Sequence, residues 1–222
     1  MKRLVKALML GVGLLSISAM SQADEGAKVY KKDVHYTVIA ETPTPAPEVR
    51  EFFSFYCGHC AAFEQFVQMV KPSLKDGVFK RNHVNFLAGI PKSAQKNLTE
   101  AVALALTLDN KTQREAVIGA IFDRIHKDRD RVSVYQRVGV REVFKEQGVD
   151  HKWFDENVES SVVQMHVNKM ESIQDKMTSM DAIKGVPTVV VNGKYRVETS
   201  KLNRKDPVND YIALVDFLMT NP

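Results

Sequence analysis

Two hydrophobic periodicities divide the chain. Residues 34–39 are rich in β-branched and aromatic side chains and predict a first strand. Residues 42–47, with Pro43, Pro45 and Pro47, cannot be helical and read as an extended connection. A second strand is predicted over 51–56, where alternation puts Glu51, Phe53 and Phe55 on one face and Phe52, Ser54 and Tyr56 on the other. The spacing then turns helical. Cys60, Phe63, Phe66, Val67 and Val70 recur on one side as far as Pro72, which should end or kink the helix. Residues 78–86 return to strand texture, and strand, helix, strand implies a crossover and a parallel pair.

From about residue 90 to residue 180 the texture is helical. Residues 101–106 are apolar nearly all round, which predicts a well-buried helix. Thr112 and Glu115 have capping-box spacing ahead of Ile118, Ile121, Phe122 and Ile125, and Ser133 to Gln136 opens another helix the same way, closed by Gly148. Asp150 can cap one long helix carrying Trp153, Phe154, Val158, Val162, Met170, Ile173 and Met177. β texture then resumes: residues 188–191 and 194–197 flank Asn192-Gly193, a signal for a two-residue hairpin. Pro207 suits the first turn of a last helix bearing Tyr211, Leu214, Val215 and Leu218. Assembled, the elements predict an α/β chain: a β-α-β half and a β-β-α half on the thioredoxin-like plan, interrupted by an all-helical insertion. The expected divisions are 1–23, a first thioredoxin-like part at 24–88, the insertion at 89–167, and a second part at 168–222.

The first division is a targeting segment. Lys2, Arg3 and Lys6 precede an apolar run over 7–17 too short to span a bilayer comfortably, and Ser21-Gln22-Ala23 offers small residues for cleavage. Its removal takes three cations and no acid, so the formal charge falls from +4 to +1. A near-neutral mature chain argues against nucleic acid as a partner, because phosphate binding needs a basic surface. Export permits disulfides, yet the sequence holds only two cysteines. Stability therefore does not rest on a disulfide framework, and a chain of this size can bury a sufficient core without one.

Those two cysteines carry the chemistry. Cys57-Gly58-His59-Cys60 stands where the aromatic strand gives way to the helix. Cys57 thus falls at a helix N-terminus, where unpaired N–H groups and the macrodipole favour a thiolate, the reactive species. His59 can add a donor or a positive charge nearby. A disulfide between residues three apart restricts the unfolded chain very little, so it suits opening and closing better than stapling. Zinc would need four ligands; no second Cys-x-x-Cys exists, and His35, His83, His126, His151 and His166 show no paired ligand spacing. No metal and no cofactor are expected.

The aromatic strand with its Cys-x-His-Cys, then His83-Val84-Asn85-Phe86, then Gly185-Val186-Pro187 followed by Val191-Asn192-Gly193-Lys194-Tyr195, closely resembles the DsbA family of bacterial periplasmic thiol:disulfide oxidoreductases. The likeness runs over essentially the whole mature chain. It implies a cis-proline at Pro187 facing a redox-active Cys57–Cys60 disulfide, with the backbone of Val186 pairing with an extended substrate peptide. It places Glu51 where the family keeps a buried carboxylate below the disulfide, opposite Arg81 where the family has a lysine; an exposed acid at a strand start is the other reading of Glu51. Glu64 is also acidic in the family, and its helical position reads as solvated. Gly58 departs from the Cys-Pro-His-Cys of the best-known members and matches the tetrapeptide of eukaryotic protein disulfide isomerases. By analogy this implies an oxidant, but a weaker one than a Cys-Pro-His-Cys relative.

The resemblance implies a periplasmic enzyme, expected to act as a monomer, that donates its disulfide to newly exported, reduced or unfolded proteins. A quinone-linked membrane reoxidase of the DsbB type would then restore it. Two alternatives stay open: a disulfide isomerase or reductase, and a non-catalytic chaperone that binds unfolded chains through an apolar groove near Cys57.

Overall fold

A computed structural model describes residues 29–220, so the expected signal segment lies outside the described residues. Among the described residues, five strands form one mixed sheet: β1 (Tyr36–Val38), β2 (Val49–Phe53), β3 (Phe79–His83), β4 (Thr188–Val191) and β5 (Tyr195–Val197), in the order β1-β5-β4-β2-β3. β2 and β3 are parallel, with Val49 opposite Phe79 and Phe53 opposite His83, whereas β4 runs antiparallel to both β2 and β5. The crossover between β2 and β3 is α1 (Gly58–Val70), closed by a 3₁₀ turn over Lys71–Ser73 that holds Pro72. Every residue of β2 is buried, as expected of a central strand covered on both faces.

Between β3 and β4 come α2 (Lys92–Leu106), α3 (Lys111–His126), α4 (Arg137–Glu146), α5 (His151–Asn157) and α6 (Ser161–Ser179). The last helix, α7 (Pro207–Thr220), starts at its proline. The division expected between residues 167 and 168 falls inside α6, which runs on without a break for about 28 Å. No helix among the described residues is long and apolar enough to cross a membrane.

The core of the described residues has three parts. Val49, Val189 and Val191 pack with Tyr211, Leu214 and Leu218 of α7 on one face of the sheet. Phe52 and Val190 meet Met177 and Ile183 on the other. The largest cluster joins Phe53, Phe55, Tyr56 and Cys60 to the apolar faces of α2, α3, α4 and α6. The helical segment is therefore packed directly on the strand end from which the cysteines emerge.

Several local expectations change. β2 ends at Phe53, not Tyr56, because the chain turns at Ser54: its carbonyl accepts from Cys57 N–H at 3.1 Å and its Oγ from Tyr56 N–H at 3.3 Å. α3 is capped by Asn110, whose side chain accepts from Gln113 N–H, and not by Thr112; Glu115 is drawn inward to Arg81 and Lys71. Ser133 opens a single 3₁₀ turn, and α4 begins at Arg137 without a side-chain cap. The one helix expected after Asp150 is two. Asp150 does cap α5, but Ser160 starts α6 by accepting from Val163 N–H. The hairpin ladder resumes at Tyr195, so three residues connect β4 to β5, with Asn192 and Gly193 both at positive φ.

Candidate active site

Cys57 is the N-cap of α1, with extended backbone at φ −88° and ψ 113°. Its sulfur accepts from Cys60 N–H at 3.3 Å and, as a thiol, donates to the carbonyl oxygen of Val186 at 3.3 Å. A backbone donor from the first turn of the helix is thus aimed at the sulfur. Both cysteines are free thiols, and they are not equivalent: Cys57 is half-buried and Cys60 wholly buried. Burial pushes the Cys60 thiol far above its ordinary range, and its hydrogen bond to Cys57 pushes the same way. An outside thiolate can therefore reach only Cys57.

Gly58 and His59 complete the turn and are exposed; a Cβ on Gly58 would meet nothing within 4 Å. The Val186–Pro187 peptide bond is cis, as the family resemblance implies. Both residues are half-buried just before β4, beside a cavity of about 440 Å³ lined by Gly185 to Thr188 and by Arg196 to Ser200. The predicted residues Cys57, Cys60, Val186 and Pro187 thus meet at one end of the sheet.

Glu51 is completely buried, which excludes the exposed reading. The parallel register sets it opposite Arg81, whose Nη1 donates to its Oε2 at 3.1 Å, while Oε1 has no partner among the described residues. Arg81 is shared. It makes two 2.8 Å bonds to Glu64 and a 3.2 Å bond to Glu115, which Lys71 also engages. Glu64 is therefore not a solvated helix residue but a buried partner of Arg81. Burial raises the Glu51 carboxyl to about 7, because its single contact with a divided cation does not offset desolvation. Burial also disfavours charge on Arg81, yet Glu51 and Glu64 outweigh it and the guanidinium stays charged. The charge of Glu51 is felt in turn at Cys60.

Other groups brace this end of the sheet without a signal in local sequence. His126 of α3 lies 2.7 Å from the carbonyl oxygen of Phe55, Tyr135 packs edge-on to Tyr56, and Arg131 stands 5.7 Å above the Tyr56 ring. His83 is enclosed by Phe53 and Phe55; burial pushes it down to about 3, so it is neutral, with Nδ1 2.9 Å from Thr99 Oγ1. No group of three or more potential metal ligands occurs among the described residues.

The chain is similar to known proteins over most of its length. The thiol:disulfide interchange protein DsbA of Haemophilus influenzae is 34% identical over 97% of this chain and 99% of its own length. The crystal structure of the disulfide oxidoreductase DsbA from Proteus mirabilis superposes with a TM-score of 0.71 at 28% identity, covering 87% of this chain and 98% of that one. A further Proteus DsbA structure, solved with the non-covalently bound peptide PWATCDS, also gives a TM-score of 0.71, at 27% identity over 87% of this chain and all of that one. The family model of the DSBA-like thioredoxin domain matches residues 48–206, and the chain belongs to that family.

Proposed function

We propose that this protein oxidises the cysteines of newly exported proteins by donating a Cys57–Cys60 disulfide. A substrate thiolate attacks the sulfur of Cys57; the new S–S bond forms as the Cys57–Cys60 bond breaks, and the Cys60 sulfur leaves with the electron pair and takes up a proton. A second substrate thiolate then attacks the substrate's own sulfur in the mixed disulfide. Cys57 departs as a thiolate held by Cys60 N–H, and two electrons have passed from substrate to enzyme. The observation that carries this reading is the asymmetry of the pair: a half-exposed sulfur capping a helix, 3.3 Å from Cys60 N–H, beside a buried Cys60.

In this reading Glu51 tunes Cys60, His59 lends a donor or charge at the exposed turn, and Gly58 sets the flexibility of the turn. The main chain at Val186 and Pro187 extends β4 past the sheet and receives an extended peptide by strand addition. The peptide-bound Proteus relative supports that role. The site's location is the periplasm, reached through the 1–23 segment; the enzyme acts as a monomer, and a quinone-linked membrane protein of the DsbB type reoxidises it.

Cys57→Ser provides the test. Oxidation of a reduced, unfolded protein should vanish in this variant. A wild type with no such oxidation, whose binding of unfolded chains survived Cys57→Ser, would be a chaperone that exchanges no sulfur. The isomerase or reductase reading draws on Gly58, and the position of the redox equilibrium separates an oxidant from a reductant.

A further inference from the structure

A second cavity, larger than the one beside Pro187, lies away from the cysteines. It has a volume of about 630 Å³ and opens between the start of β3, the 3₁₀ turn after α1, and helices α2, α3 and α6. Cys57 begins α1 and this turn follows its end, so the two sites are separated by about the 20 Å length of that helix. Neither cysteine nor Val186 nor Pro187 lines it.

Its charges do not balance. Three carboxylates line it, and each is engaged: Glu48 by Arg50, Asp76 by Lys111, and Glu115 by Lys71 and Arg81. Lys75, Lys80 and Lys169 also line it and have no ion pair among the described residues. Arg114 spends one nitrogen on the carbonyl of Leu108 at 2.7 Å, and its buried Nε has no partner. His166 stands close enough to Lys169 and Arg114 that burial, and then those two cations, lower its basicity. α3 and α6 thus turn like charges towards one another, an arrangement that costs free energy until an anion joins it.

The remaining walls are apolar. Leu74, Phe79, Leu106, Ile118 and Met170 line the same space. An inorganic anion would leave that surface uncovered, and a volume of this size falls in the range of about 300–1,000 Å³ typical of small-ligand sites. We propose that this cleft binds a small amphiphilic anion: a carboxylate set against Arg114 and Lys169, with an aliphatic chain laid over Leu106, Ile118 and Met170.

Sodium decanoate, below its critical micelle concentration, is the probe, titrated calorimetrically into the full-length mature protein. Binding at one site is expected. The double variant Arg114→Gln/Lys169→Gln should bind about tenfold or more weakly, since truncating partners of a bound charge costs at least that much. Sodium acetate, which has the head without the tail, should be weaker by a similar factor. No binding of decanoate, undiminished binding by the double variant, or equal binding of acetate would overturn the proposal. Amide chemical-shift mapping in the wild type needs no variant to fold. Decanoate-induced shifts around Leu106, Ile118 and Met170 support the site, whereas shifts confined to Gly185–Thr188, or none, overturn it.

Discussion

Replacing Glu51 with glutamine should make the protein more stable above neutral pH. In the fold its carboxyl holds a proton up to about pH 7, while the same group in an unfolded chain releases it near 4.5. Between those values the native state binds a proton that the unfolded state does not, so stability falls as pH rises through the window. Each unit is worth about 1.4 kcal/mol, and the gap gives roughly 3 kcal/mol for a fully buried group. Glutamine cannot titrate and removes this slope. Arg81 would keep Glu64 and Glu115 as partners, so no buried cation is stranded. The assay is urea unfolding of both reduced proteins at pH 5, 6, 7 and 8. The two should be close at pH 5, and the variant should be ahead by roughly 3 kcal/mol at pH 8. Parallel curves, or a wild type that gains on the variant as pH rises, would refute the reasoning, because Glu51 would then be an anion stabilised by Arg81.

Other substitutions probe neighbouring features. Arg81→Met leaves three carboxylates around a missing cation and should cost about 3–5 kcal/mol in urea unfolding near neutrality. The loss should shrink as pH falls and those carboxyls take up protons. Gly58→Pro places proline at the first position of α1, where a Cβ has open space and Cys57 already has extended backbone. It should fold and gain about 0.4–1 kcal/mol in the same assay. Its redox potential should also move towards the oxidising side if glycine at this position weakens the oxidant.

Much of this architecture is legible in the sequence because it is local. The aromatic strand, the helical spacing after Cys60, the stop at Pro72 and the Asn192-Gly193 turn each declare themselves within ten residues. What escaped depends on partners far along the chain. Glu64 sits on a helix whose neighbours in sequence give it no reason to be buried; Arg81, arriving from β3, supplies one. Glu115 has capping-box spacing, but Asn110 takes the cap and Arg81 takes Glu115. The apolar repeat of α5 continues through Val158, so periodicity could not reveal the break that Ser160 makes. The alternation of 51–56 misleads differently: Phe55 and Tyr56 are buried by helices packed over the strand's end and not by the sheet itself.

Equilibration with glutathione buffers of defined ratio, with the oxidised fraction trapped and counted, tests the assignment of this site most directly. A disulfide donor whose reduced form is stabilised by the Cys57 environment should show a potential more positive than about −200 mV. A value near −270 mV, where thioredoxin lies, would mean that the Cys57–Cys60 pair prefers to stay oxidised and acts as a reductant.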